Sequence, residues 1–196
     1  MSKITAEFTM SLDGFIAGPN DDVGQIFRWY FSGDTDFQAS STDPTFKISR
    51  ASADLLRKEW GKLGAIVTGR RDFDVSEAWG GSSPLGVPIF IVTHTAPQEW
   101  VKEGSPFTFV TDGVESAIEK ARQAAGDKNI SVGGTTIVQQ CIKAGLLDEI
   151  QIDLAPILLG AGIRLFDHLG PEPIELESTG VIEGSGVTHL RFRVVK

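Results

Sequence analysis

Polar and apolar residues alternate from Lys3 to Met10 (KITAEFTM), the period of a half-buried strand, and Ser11–Asn20 (SLDGFIAGPN) breaks it with Gly14, Gly18 and Pro19. Neither period holds from 21 to 48. That stretch is rich in Phe, Trp, Asp and Ser and is long for an irregular segment of a compact domain, the character of a binding lid or of disorder. Helical spacing begins at Ser49–Trp60, where Ala53, Leu56 and Trp60 fall three and four apart and Gly61 and Gly64 end the run. Ala65–Thr68 reads as a short buried strand entering Gly69-Arg70-Arg71, with further strands at Val87–Thr93 and Phe107–Thr111. Asp112 and Glu115 have the spacing of a capping box, and Val114, Ala117, Ile118 and Ala121 form the apolar stripe of a helix ending at Gly126. Asn129–Val132 is a strand that passes through Gly133-Gly134 into a helix with the apolar face Ile137, Val138, Cys141 and Ile142, stopped by Gly145, and Glu149–Ala155 is another strand.

The recurring order strand, helix, strand predicts an α/β fold, a three-layer αβα sandwich around a mostly parallel sheet covered on both faces. The tail differs. Glu175–Glu183 and Val187–Val195 flank Gly184-Ser185-Gly186, and Thr188, Leu190, Phe192 and Val194 alternate against His189, Arg191 and Arg193. This is an antiparallel C-terminal hairpin, which makes the sheet mixed. No internal repeat or interdomain linker interrupts residues 1–196, so a single domain is expected.

Composition narrows the function classes. With 196 residues, 41% hydrophobic and 22% charged, the chain reads as an ordinary globular protein able to bury about 70% of its unfolded surface without disulfides or a structural metal. Cys141 is the only cysteine, which favours a reducing, cytoplasmic setting. Met1–Met10 lacks the basic segment and long apolar run of a secretory signal, and no run reaches the ~18 apolar residues of a membrane span. Without such a run a membrane is not an expected partner, and because the net charge of -8 repels polyanions, neither is nucleic acid. A small anionic ligand would need a local cluster of donors.

The strand, Gly-Gly, helix junction at Ser131-Val132-Gly133-Gly134-Thr135-Thr136 offers such donors. A helix start carries unpaired N–H groups, and glycines let a phosphate approach the backbone. The same pair would also serve a tight turn or close helix packing. Neither a P-loop nor a G-x-G-x-x-G fingerprint occurs. Arg70 and Arg71 follow a buried strand, where two guanidiniums suit a phosphomonoester, or else pair at the surface with Asp72 or Asp74. His94, His168 and His189 are scattered singly, so no zinc site is expected, and no G-x-S-x-G elbow supports a nucleophilic serine. Phe27, Trp29, Tyr30 and Phe31 form an aromatic cluster that would stack on a flat heterocycle or anchor the long segment, and Asp54 could present a carboxylate to a substrate ring.

Taken in order, five segments resemble the dihydrofolate reductase-like superfamily, and within it bacterial proteins similar to the reductase domain of the riboflavin biosynthesis enzyme RibD. They are Ser11–Ala17 (SLDGFIA), Val67–Phe73 (VTGRRDF), Pro88–His94 (PIFIVTH), Ser131–Thr136 (SVGGTT) and Leu146–Phe166 (LLDEIQIDLAPILLGAGIRLF). The resemblance implies an NADPH-dependent reductase of a small nitrogen heterocycle, forming a homodimer. It implies that Ser11, Ile16 and Ala17 run beside the nicotinamide and that 18–21 belong to a closing loop. Gly69, Arg70 and Arg71 would face the adenosine phosphates, and Thr93 and His94 the ribose 2'-phosphate and adenine. Gly133, Gly134, Thr135 and Thr136, with Ile137 beside them, would cradle the diphosphate. Trp29, Tyr30 and Phe31 are the expected substrate-binding residues and Asp54 the expected catalytic one. The chain lacks the His-x-Glu and Pro-Cys-x-x-Cys pattern of the RibD deaminase domain, the Asp-Asp-Pro segment that holds a ribose phosphate, and the Pro-Trp of true dihydrofolate reductases. A dihydrofolate or pteridine reductase, and a nucleotide-binding homodimer without turnover, remain the alternatives.

Overall fold

The computed structural model describes residues 2–39 and 44–196. In chain order the strands are β1 (Ile4–Ser11), β2 (Phe15–Ala17), β3 (Thr35–Phe37), β4 (Phe46–Ile48), β5 (Leu63–Gly69), β6 (Ile89–Val92), β7 (Phe107–Val110), β8 (Asn129–Val132), β9 (Glu149–Ala155), β10 (Ile163–Arg164), β11 (Leu176–Gly184) and β12 (Val187–Val194). The α-helices are α1 (Arg50–Trp60), α2 (Arg70–Val75), α3 (Val114–Ala125) and α4 (Thr135–Lys143). Eight of the strands make a mixed, mostly parallel sheet, the expected α/β class. By internal contacts the chain forms two compact units. One comprises the residues up to Ala6 with Lys62–Leu147, the other Glu7–Gly61 with Asp148–Lys196.

In the first unit the strand order is β1-β8-β5-β6-β7, every pairing parallel. Consecutive residues Ile89, Phe90 and Ile91 are all buried, which requires cover on both faces of β6. The α3 stripe is buried at Val114, Ala117, Ile118, Ala121 and Ala125, as the spacing predicts. Its start differs from the expected capping box: Gly113 occupies the N-cap at φ +100 with no side-chain cap. Asp112 accepts instead from the Ser116 hydroxyl at 2.8 Å and from Lys120 Nζ at 3.2 Å, and these bonds hold its carboxyl below the usual range. Gly64 lies inside β5, not at the end of α1. A Cβ there would stand 2.7 Å from Lys128 Cβ and 2.9 Å from Ala125 Cα, so the close approach of the α3 end selects glycine. Phe73 of α2 anchors an aromatic cluster with Ile89, Ile91 and Phe107, packing edge-on against Trp79, Trp100 and Phe109.

In the second unit β11, β12 and β9 pair antiparallel, so the C-terminal hairpin forms within a residue or so of its expected bounds. The segment 21–48 is less irregular than its sequence suggests. It contains a 3-10 turn at Ile26–Phe31 and the β3–β4 ribbon, while 40–43 lie outside the described residues. Trp29, Phe37, Ile48, Ala53, Leu56 and Val187 share one core, with Tyr30, Phe46 and Trp60 packed on it. Ser49 caps α1, its hydroxyl accepting from the Ser52 N–H at 3.1 Å.

Candidate functional site

The first unit brings two of the glycine segments together. β5 ends at Gly69 and turns directly into α2, while β8 ends at Val132 and passes through Gly133-Gly134 into α4. The Gly133 N–H donates to the Val67 carbonyl at 2.8 Å, which fixes the turn against β5. A Cβ on Gly133 would lie 3.1 Å from Thr68 Oγ1 and 3.3 Å from Asp72 Oδ2. Gly134 has φ +75, a conformation that favours glycine, and its missing Cβ would stand 3.6 Å from the Gly69 nitrogen. A Cβ on Gly69 would lie 3.3 Å from Ile137 Cγ1, so Gly69, Gly133, Gly134 and Ile137 form one locus. No side chain caps α4, so the first N–H groups of Thr135 and its neighbours have no intrahelical acceptor. Bare backbone, free amides and the positive end of a nine-residue helix are the chemistry a phosphate group requires.

The nearby side chains are mostly engaged. Arg70 donates from Nε to both oxygens of Asp74 at 2.8 and 3.0 Å and from Nη1 to the Thr95 carbonyl at 3.3 Å, so the surface pairing open to it in sequence is the one it makes. That second bond ties it to the bend after β6, where the Thr93 hydroxyl donates to the Thr95 carbonyl at 3.0 Å and His94 is exposed. Arg71 and Thr136 are also exposed. Asp72 faces inward: the Thr68 hydroxyl donates to its Oδ2 at 2.6 Å, and burial nevertheless pushes its carboxyl above the usual range.

The second unit holds the remaining expected residues. Ser11 is fully buried; its hydroxyl donates to Asp13 Oδ1 at 2.6 Å and accepts from the Phe15 N–H at 3.0 Å. Asp13 also accepts from the N–H groups of Leu159 and Gly160 at 3.1 and 2.7 Å. The Ser11 bond, with these amide bonds, draws its carboxyl down to about 2. Ser11 and Asp13 thereby hold the turn that leads into Ile16 and Ala17 of β2, which pairs with β10.

A groove of about 760 Å³ runs beside the 3-10 turn, lined among others by Ile26, Arg28, Trp29, Phe31, Ser32 and Ala155. The aromatic triplet is divided. Trp29 is 2% exposed, with Nε1 donating to Thr9 Oγ1 at 3.3 Å, so it is a core anchor that also floors the groove. Tyr30 packs on Trp29 and Phe46, and burial, with Glu7 and Asp153 nearby, raises its hydroxyl pKa. Phe31 is 70% exposed. Asp54 lies on the outer face of α1, its side chain 65% exposed between Arg50 and Arg57 at 3.8 Å each.

Sequence reasoning missed a buried polar series in the same unit. The Ser49 hydroxyl donates to Ser52 Oγ at 2.9 Å, Ser52 Oγ lies 2.8 Å from His189 Nε2, and His189 Nδ1 lies 2.6 Å from Asp153 Oδ1, which also accepts from Gln151 Nε2 at 3.1 Å. With Nδ1–H donating to Asp153, a neutral ring takes the Ser52 hydroxyl at Nε2, and every donor in the series has an acceptor. Ser52 and His189 are wholly buried, so this Ser-His-Asp sequence has no access for a substrate and joins α1, β9 and β12 instead. Beside it, both Glu7 oxygens lie 3.2 Å from Trp60 Nε1. Burial, then the charges of Asp153 and Glu59, push the Glu7 carboxyl up to about 8, against the bond from Trp60 and the attraction of Arg191. The available signal was the spacing of Gln151 and Asp153 among the apolar residues Ile150, Ile152, Leu154 and Ala155 of β9.

Comparison with known proteins agrees with this architecture. The uncharacterized protein YwjB of Bacillus subtilis is 32% identical over 170 residues, covering 87% of this chain and 86% of that protein. A solved structure from Shewanella sp. PV-4 superposes with a TM-score of 0.73 at 20% identity over 99% of both chains. The Thermotoga maritima diaminohydroxyphosphoribosylaminopyrimidine deaminase/5-amino-6-(5-phosphoribosylamino)uracil reductase matches at TM-score 0.62 and 12% identity, over 99% of this chain and 57% of its own. The family model of the RibD C-terminal domain matches residues 2–190, and the chain belongs to that family.

Proposed function

We propose that the chain is an NADPH-dependent reductase of a small nitrogen heterocycle, of the type carried by the reductase half of the Thermotoga protein. One observation carries the reading: the convergence of Gly69 with Gly133-Gly134 at the uncapped start of α4. The residues present fit the group, since the turn is two glycines without side chains and, among the described residues, no side chain caps the α4 amides. When bound, NADPH supplies the hydride. Gly133, Gly134, Thr135 and Thr136 take its diphosphate through backbone N–H groups, and Arg70, aimed by Asp74 and Thr95, offers its remaining donors to a 2'-phosphate beside Thr93 and His94. For the second unit the resemblance implies that Ile16 and Ala17, which follow the Ser11–Asp13 turn, face the nicotinamide, and the groove lined by Phe31 and Trp29 is the proposed place for a flat substrate. Alignment and exclusion of water are the protein's contribution to such a reaction.

A homodimer, as the resemblance implies, and a cytoplasmic setting are part of this proposal. A second reading, nucleotide binding without turnover, is favoured by one observation: Asp54, the expected catalytic carboxylate, faces solvent. Equilibrium titration with NADPH, followed by substrate-dependent NADPH oxidation over a panel of pyrimidines and pteridines, separates the two. Saturable binding with turnover of one panel member supports the reductase. Binding with no turnover supports the second reading, and no binding overturns both.

A further inference from the structure

We infer that Asp72 takes up a proton when a dinucleotide phosphate enters the Gly133-Gly134 turn, so that nucleotide affinity falls as pH rises. The inference rests on reading that turn as the phosphate site. The two glycines pack directly against this side chain: Oδ2 stands 3.3 Å from the missing Gly133 Cβ, and Asp72 Cβ 3.8 Å from that of Gly134, so the carboxyl lies next to the turn that would hold the phosphate. An ionised carboxylate there meets a phosphate as a like charge at short range in a partly desolvated place, where Coulomb repulsion is weakly screened. A protonated one does the opposite. Because the Thr68 hydroxyl already donates to Oδ2 at 2.6 Å, the acid proton belongs on Oδ1, from which it can be donated to a phosphate oxygen.

Among the described residues no cationic side chain bonds to Asp72. β5 presents the Thr68 hydroxyl, and the β8–α4 turn presents only backbone. On its own helix, Arg70 turns its Nε and Nη1 to Asp74 and the Thr95 carbonyl, and Arg71 is exposed. Burial raises the Asp72 carboxyl, against the lowering by Thr68. An approaching phosphate acts in the same direction as burial, so binding and protonation reinforce each other.

The test titrates the whole chain with NADH and with NADPH from about pH 5.5 to about pH 8.5. NADH is the decisive probe because it lacks the 2'-phosphate, which itself titrates in this range. Once Asp72 is ionised, wild-type affinity for NADH should fall about tenfold per pH unit, while Asp72→Asn should stay within about twofold across the range. Calorimetry in two buffers of different ionisation heat should find about one proton taken up by the wild type at the alkaline end and none by the variant. A flat wild-type profile, or the same slope in Asp72→Asn, overturns the inference while leaving the phosphate site standing. Absence of binding of either nucleotide at every pH overturns the site and the inference together. Should Asp72→Asn fail to fold by circular dichroism, Asp72→Thr removes the charge and keeps a hydroxyl beside Thr68.

Discussion

His189 and Asp153 are buried because each answers the other, and that makes them the residues least tolerant of change. Removing one partner leaves a buried polar group unmatched, so His189→Leu should cost about 3–5 kcal/mol, measured by denaturant unfolding. Ser52→Ala, which strands the Nε2 acceptor and leaves the half-buried Ser49 hydroxyl to find another acceptor, should cost about 1–3 kcal/mol. Equal small losses for both would show that water enters and satisfies the ring. In the first unit, Arg70→Ala should weaken NADPH about tenfold or more and leave NADH nearly unchanged, because one charge-assisted bond to the 2'-phosphate contributes about 1.5–3 kcal/mol. Equal losses for both nucleotides would confine Arg70 to bracing the bend at Thr95. At this scale the sequence was legible where backbone chemistry dominates: the strand, Gly-Gly, helix junction at Gly133-Gly134 stands where the pattern places it, whereas its approach to Gly69 comes from the fold. It was illegible at His189, whose alternation with Leu190 and Phe192 tells which residues share a face but not which face is buried.

The 3-10 turn at Ile26–Phe31 shows how a short element distributes roles that composition alone cannot. Tight winding points Ile26 and Trp29, three residues apart, into the core, and leaves Phe31 outside. Trp29→Ala should therefore lower stability by about 3–5 kcal/mol, the range for large aromatic truncations in a core, and shift the melting temperature accordingly. Phe31→Ala should change stability by less than about 0.5 kcal/mol and instead impair turnover of whichever panel substrate is accepted, leaving NADPH affinity intact. Unchanged turnover in Phe31→Ala would remove this residue from the groove. The long elements were readable because their periods are strong: β5, β6, β8, α3 and the β11–β12 hairpin fall within about two residues of expectation. α2 and the β3–β4 ribbon were not. Each is held by tertiary contacts of Phe73 and Phe37, which override a weak local pattern.

For the whole molecule, two perturbed carboxyls, Asp13 and Glu7, oppose each other in their effect on stability. The folded-state value of Asp13, about 2 against an ordinary 3.8, means its contribution is present above that ordinary value and lost as pH falls toward 2. Glu7 behaves in the reverse sense: raised from 4.5 to about 8, it contributes stability fully below 4.5 and loses it as pH rises through 8, since the unfolded chain releases the proton first. Net charge acts alongside, because a chain at -8 repels itself more as further groups ionise. Both alkaline terms predict a melting temperature that declines from about pH 5 to about pH 8.5, and salt divides them. Self-repulsion of exposed charges is screened over a Debye length of about 10 Å at 0.1 M salt, whereas the ionisation of Glu7 beside Asp153 and Glu59 takes place in a half-buried position and is screened less. The decline should therefore persist in high salt for the wild type and flatten in Glu7→Gln, which keeps an acceptor for Trp60 and cannot ionise. If salt alone flattens the wild-type curve, the slope belongs to net charge and Glu7 titrates near its ordinary value.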